Sequence, residues 1–239
     1  MNNFFFIGLP YAAILIMLVG TIHRYTKHSF KYSSLSSQFL EGKTLHRGSR
    51  PFHWGIIALF FGHLIGFLFP SAVLAWNGEP IRLIIIEVSA LAFAITFLYG
   101  LMLLVMRRAT NERVKVVTSK MDIYVYVVLI AQVFTGIWIA YFYRWGTNWY
   151  ASSMVPYLRS IFVLNPEIAT VTALPLMVKI HIITAFVFLG MIPFTRYVHF
   201  LVYPFRFAYR PVQIVIWNWD RKVIRNSSTG TKTVKPSNN

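Results

Sequence analysis

Five apolar stretches, at residues 4–20, 51–70, 83–106, 123–142 and 176–203, are each long enough to cross ~30 Å of hydrocarbon at about 1.5 Å per residue. A backbone in lipid must satisfy its own polar groups, so stretches of this kind fold as helices. The expected fold is therefore all-α: an integral membrane bundle of five transmembrane helices over residues 1–203. A basic segment, 204–239, follows it, and its last residues from 226 onward have the Ser/Thr/Lys/Asn composition of a disordered tail. Composition supports this reading, because only 13% of the 239 residues are charged, about half the share of a soluble domain. Only Met-Asn-Asn precedes the first stretch, with no basic residue, so it reads as a retained helix and not as a cleaved signal. The net charge of +16 would point to nucleic acid in a soluble protein. Here the basic residues bracket the apolar spans, and membrane topology accounts for them without nucleic acid.

Basic residues in the connections set a direction. The first connection carries six, Arg24, Lys27, Lys31, Lys43, Arg47 and Arg50, and the third carries five, Arg107, Arg108, Arg113, Lys115 and Lys120. Seven more lie between Arg206 and Lys235. The second connection has none before Arg82, and the fourth has only Arg144 and Arg159. The expected topology places the N-terminus outside and the C-terminus in the cytoplasm, in a cell inner (plasma) membrane crossed several times. The fourth connection, 144–173, is long and aromatic; it reads either as a helix lying at the outer interface or as an irregular hydrophobic lid.

Four histidines lie inside the apolar spans: His53 and His63 in the second, His181 and His199 in the fifth. An imidazole in hydrocarbon costs free energy unless something occupies its ring nitrogens. The two spans run in opposite directions, so depth alone pairs His63 with His181 toward the outside and His53 with His199 toward the cytoplasm. Each pair offers two neutral imidazole nitrogens, the ligand set of a low-spin b-type haem. The absence of cysteine leaves no thiolate to hold an iron–sulfur cluster. Ten residues on the second span rise about 15 Å and eighteen on the fifth about 27 Å, a mean of about 21 Å for two stacked haems. The mismatch of about 6 Å at each end calls for tilted haems or a bent helix, and Pro193 stands where a bend would serve. Eighteen residues are five whole turns, so His181 and His199 are expected to share a face. Gly55, Gly62 and Gly66 offer room for a flat macrocycle, or else serve ordinary helix contact. His23, His28 and His46 fall in the basic first connection and read as solvated.

The segments Ser37-Gln38-Phe39-Leu40, Phe52-His53-Trp54-Gly55, Phe61-Gly62-His63, Lys179-Ile180-His181 and Pro193-Phe194-Thr195-Arg196-Tyr197-Val198-His199 resemble the γ subunit of respiratory nitrate reductase. The likeness extends over about residues 4–210 and includes the ten- and eighteen-residue spacings. It implies a dihaem cytochrome b that oxidises quinol near the outer face, in anaerobic respiration or nitrate assimilation. Electrons would pass by a distal haem on His63 and His181, then a proximal haem on His53 and His199. They would leave for an iron–sulfur β subunit and a molybdenum-containing α subunit on the cytoplasmic side. The resemblance also implies a quinol site with a lysine at the outer start of the third span, where this chain has Arg82. Arginine still donates to a quinone oxygen but stays protonated; the alternative is an interfacial anchor.

Glu87, at membrane depth on the third span, is either a proton acceptor for quinol oxidation or a satisfied polar residue of the bundle interior. Lys179 either snorkels to the interface or meets a distal propionate. Arg50, Arg107, Arg108 and Arg196 lie where proximal propionates would need cations, although topology alone explains most of them. Asp122 opens the fourth span as a helix N-terminal acid. Trp217 and Trp219 suit the docking of a partner subunit. Three rival readings remain: the equivalent quinone-linked subunit of a sulfite-reductase-associated or heterodisulfide-type complex, a metal-ion transporter, and a haem-free anchor.

Overall fold

A computed structural model of the chain describes residues 1–27, 37 and 40–202. Expectations for His28, Lys31, the Gln38-Phe39 pair, Tyr203 at the end of the fifth span, and the tail with Trp217 and Trp219 lie outside the described residues.

Among the described residues the fold is entirely helical, with five helices long and apolar enough to cross a membrane. A π-helical turn, Phe4–Gly8, leads into α1, Leu9–Lys27. α2 covers Lys43–Leu68 and α3 covers Pro70–Trp76. α4 is Pro80–Thr110, followed by the short α5, Glu112–Val116, and by α6, Lys120–Phe142. α7, Gly146–Trp149, passes through a π-helical turn, Tyr150–Met154, into α8, Val155–Phe162. α9 is Ala169–Ala173 and α10 is Leu176–Met191. Two 3₁₀ turns, Ile192–Phe194 and Arg196–Val198, then lead to α11, His199–Val202.

Helix ends depart from the apolar boundaries because polar turns continue beyond the hydrocarbon. α2 starts eight residues before Pro51. Its first turn has no capping side chain on Gly42; instead the Glu41 carboxylate accepts from Thr44 N at 2.7 Å and Leu45 N at 3.2 Å. α6 opens with a capping box, in which Ser119 and Asp122 satisfy each other's backbone N–H. Asp122 is thus the N-terminal acid that its position suggested.

The long helices pack in an open series. α2 lies along α4, α4 meets α6, α6 meets α10, and α10 meets α1. Glycine makes the first contact close. A Cβ on Gly55 would fall 2.6 Å from the Phe97 backbone, and one on Gly100 would strike Phe52 N. A Cβ on Gly66 would meet the Tyr150 ring at 2.8 Å. Two of the three glycines offered as room for a macrocycle therefore serve side-chain and helix packing; only Gly62 faces open space. Phe52, Phe97, Leu101, Val125, Leu129 and Val133 fill the core shared by α2, α4 and α6.

The long fourth connection is helical and not an irregular lid. Met154, Tyr157 and Ile161 bury against Phe6 and Val171. Tyr157 donates to Phe6 O at 2.9 Å and Tyr11 to Ile161 O at 3.0 Å, which ties the connection to α1. Trp145 enters it at φ 65°, a left-handed conformation that is costly for a bulky side chain.

The fifth span breaks where Pro193 stands. Thr195 is extended, at φ −116° and ψ 175°, between the two 3₁₀ turns. Arg24 from α1 donates to the freed carbonyls of Pro193 at 2.6 Å and Thr195 at 2.9 Å. The expectation that five regular turns carry His181 and His199 on one face fails here, because helical phase is lost between them. The bend expected at Pro193 is present.

Candidate functional site

α2, which carries His53 and His63, packs chiefly on α4, and α10, which carries His181, packs chiefly on α6 and α1. His199 opens α11 beyond the break. His53 and His63 are exposed on α2, whereas His181 and His199 are half-buried.

Three of the four imidazoles share one arrangement. His53 Nδ1 donates to Ser49 O at 2.7 Å, His63 Nδ1 to Leu59 O at 2.8 Å, and His199 Nδ1 to Arg196 O at 2.7 Å. A carbonyl can only accept, so Nδ1 carries the proton and Nε2 keeps its lone pair. This is the tautomer and the outer-shell bond of a metal-ligating histidine.

The His53 and His199 rings approach across the gap with centroids 6.3 Å apart and planes at 57°. A metal held by two imidazoles at about 2 Å from each nitrogen separates the ring centroids by roughly 6 Å. The centroid separation of the pair matches that of two imidazoles on one metal ion. A cavity of about 370 Å³ adjoins it, lined among others by Ser49, Arg107, Arg108 and Arg196. His46, expected as solvated, is exposed but also lines this cavity.

The other pair is arranged differently. His63 meets Tyr150 edge-on, with centroids 5.3 Å apart, and Tyr150 donates its hydroxyl to His63 O at 3.0 Å. His181 is slotted against α6, where a Cβ on Gly136 would lie 3.2 Å from its ring. Its Nδ1 is 3.0 Å from Thr135 Oγ1, and its Nε2 accepts from the Gln132 amide at 3.1 Å. That lone pair is the one a metal would take. Among the described residues no three of His, Cys, Asp and Glu come together, so pairs are the ligand sets on offer.

The cations near His53 and His199 are already engaged. Arg107 is 4% exposed. Its Nε donates to Glu41 Oε2 at 2.6 Å, its Nη1 to Ser37 Oγ at 2.9 Å, and its Nη2 to Ser37 O and Glu41 O. The backbone N–H of Thr44 and the Arg107 guanidinium together hold the Glu41 carboxyl down at about 2, from an ordinary 4.5. Asp122 bridges Arg196 at 3.0 Å and Arg108 at 3.5 Å. Arg50 is exposed.

The two quinol-site candidates are not brought together. Arg82 is exposed and stacks 5.2 Å over the Trp76 ring. Glu87 accepts from Thr147 N and Thr147 Oγ1, both at 2.8 Å, and Thr147 in turn accepts from the buried Asn77 amide. Lys179 is half-buried on the first turn of α10. Sequence reasoning missed Tyr150, Thr135, Gln132 and Glu41. A polar residue inside α6, as at Gln132 and Thr135, was the available signal for two of them.

A family model described as nitrate reductase gamma subunit matches residues 2–218. The nitrate reductase gamma chain of Bacillus subtilis is 30% identical over 205 residues, 84% of this chain and 92% of that one. The respiratory nitrate reductase 2 gamma chain of Escherichia coli is 28% identical over 220 residues, 90% of this chain and 96% of its own. A nitrate reductase-like protein of Mycobacterium tuberculosis is 30% identical over 226 residues, which cover 33% of its length. On this evidence the chain belongs to the nitrate reductase gamma subunit family.

Proposed function

We propose that this chain is the membrane-anchoring dihaem cytochrome b subunit of a nitrate reductase, oxidising quinol and delivering its electrons to partner subunits. His53 and His199 would hold the proximal haem, and His63 and His181 the distal one. The observation that carries the reading is the approach of His53 to His199, with both Nδ1 protons bound to carbonyls and both Nε2 lone pairs left for iron. When bound, the two haems supply one-electron carriers, distal then proximal, between quinol and the acceptor subunits.

The chain's own residues perform the remaining tasks. The carbonyls of Ser49, Leu59 and Arg196 fix three imidazoles in the ligating tautomer. The break at Pro193–Thr195 re-aims His199 toward α2. Arg108 and Arg196, both paired with Asp122, line the cavity beside the proximal pair, and propionate groups there would share these cations with that carboxylate. Near the distal pair, Arg82 would donate to a quinone oxygen and Glu87 would take up a quinol proton. Thr147 orients that carboxylate.

Basic residues favour an N-terminus outside and a cytoplasmic C-terminus in the plasma membrane. An iron–sulfur β subunit and a molybdenum-containing α subunit would then sit on the cytoplasmic side, with the tail from residue 204 contributing to docking. Nitrate is reduced there and not on this chain. With quinol protons released outside, each electron moving inward against 100 mV stores about 2.3 kcal/mol.

The test uses the assembled complex in its membrane. A quinol analogue should bring up reduced b-type absorbance, and nitrate should then reoxidise it. Absorbance that quinol does not produce would refute the quinol reading. Absorbance that nitrate leaves reduced would assign the chain to a complex with another acceptor, such as a sulfite- or heterodisulfide-linked one.

A further inference from the structure

The four span histidines do not hold their Nδ1 protons in the same way. His53, His63 and His199 use carbonyls three or four residues earlier on their own helical segments. His181 reaches instead to a side chain of another helix, the Thr135 hydroxyl on α6, at 3.0 Å. Thr135 is only 4% exposed, so water does not compete for this contact.

Donors and acceptors fix the sense of the bond. The Gln132 amide donates to His181 Nε2, which therefore holds a lone pair, so the proton of the neutral ring is on Nδ1; an iron on Nε2 would take the place of the Gln132 donor and leave that proton facing Thr135. The Thr135 hydroxyl spends its single hydrogen on Ala131 O at 2.7 Å, within its own helix. Its oxygen is left to accept from His181. Neighbouring Gly136 allows the ring to lie flat against α6, with a Cβ there reaching to 3.2 Å of the imidazole. Thr184, one turn along α10, donates to the oxygen of the Gln132 amide and orients that group.

We propose that Thr135 is the positioning residue of the distal haem site, its hydroxyl setting the tautomer, plane and donor strength of the His181 imidazole from a neighbouring helix. The proposal rests on the reading of His181 as a distal haem ligand. An accepted Nδ1–H bond makes an imidazole more basic and a better partner for ferric iron. At the other three histidines this bond is built into the backbone and no side-chain substitution removes it. At His181 the acceptor is itself a side chain, so one substitution on α6 removes it, whereas at His53 the Ser49 hydroxyl, 3.1 Å from Nδ1, only adds to the Ser49 carbonyl.

The experiment is an optical redox titration of both b-type centres in the assembled complex, for wild type, Thr135→Val, Thr135→Ala and Thr135→Ser. Valine keeps the shape and removes the acceptor, alanine removes it with less bulk, and serine retains it. Outer-shell partners of metal ligands are worth about tenfold or more. A tenfold loss in the preference for ferric over ferrous iron raises a one-electron midpoint potential by about 59 mV. That rise is expected in Thr135→Val and Thr135→Ala, confined to the centre that His63→Ala abolishes. The other centre keeps its wild-type potential and certifies that the bundle has folded, and Thr135→Ser stays close to wild type. Two centres with wild-type potentials in both valine and alanine variants would overturn the proposal while leaving the haem reading intact. So would equal shifts at both centres, or a serine variant that behaves like valine. Fewer than two b-type centres in the wild type would instead overturn the reading on which it rests.

Discussion

Glu41→Gln isolates the junction between the first connection and the end of α4. Glutamine keeps the shape of glutamate and mimics its protonated form. The native carboxylate faces Arg107 Nε at 2.6 Å and accepts from two N–H groups at the start of α2. Each tenfold change in proton affinity is worth about 1.4 kcal/mol. A carboxyl held near 2 and not at 4.5 therefore contributes about 3 kcal/mol to folding once ionised. The Arg107 side chain is 3% exposed and that of Glu41 is 18% exposed. Partial solvent screening at Glu41 reduces the figure to about 2 kcal/mol. Because the folded pKa is depressed, this stability is fully present above the ordinary carboxylate pKa and is lost as pH falls toward about 2. Denaturant unfolding in detergent micelles, followed by helical circular dichroism, should show Glu41→Gln less stable than wild type by about 2 kcal/mol at pH 6. The gap should close between about pH 4.5 and pH 2 as the native carboxylate protonates. A gap that stays constant over that range, or no gap at pH 6, would refute the assignment.

Further expectations concern packing, capping and the quinol site. Gly100→Leu drives a side chain into the α2 backbone at Phe52 and Gly48, and should cost about 1–3 kcal/mol in the same unfolding assay. Gly62→Ala, inside α2 and meeting nothing within 4 Å, should raise stability by up to about 1 kcal/mol through helix propensity. Ser119→Ala removes the cap of α6 and should lower stability by about 1 kcal/mol, while Ser119→Asp should retain it. Arg82→Ala should lower kcat/KM for quinol by roughly tenfold or more, the worth of a charged hydrogen bond, with Arg82→Lys close to wild type. Equal turnover in Arg82→Ala would leave the residue as an interfacial anchor stacked on Trp76.

The five spans were legible because hydrocarbon imposes length and apolarity directly on the sequence. Contacts that join distant segments were not. Nothing around Glu41 announces that it caps α2 and neutralises Arg107, sixty-six residues away. Pro193 signalled a bend, but the phase argument that His181 and His199 share a face assumed regular turns across it. The extended Thr195 removes that phase, and so the position of His199 was readable by depth and not by angle. Gly55 and Gly66 illustrate a different limit, since glycine beside a ligand and glycine beside a helix look the same in sequence. In the fourth connection, apolar spacing permitted a helix without requiring one. The packing of Met154, Tyr157 and Ile161 on Phe6 decides for it.

The central claim, two haems on two depth-matched histidine pairs, is tested most directly by reduced-minus-oxidised spectra of wild type and the four single His→Ala variants. Two b-type centres are expected in the wild type. His53→Ala and His199→Ala should each lose one and the same centre, and His63→Ala and His181→Ala should each lose the other. Loss of a common centre in His53→Ala and His181→Ala, or retention of both centres in all four variants, would contradict the account.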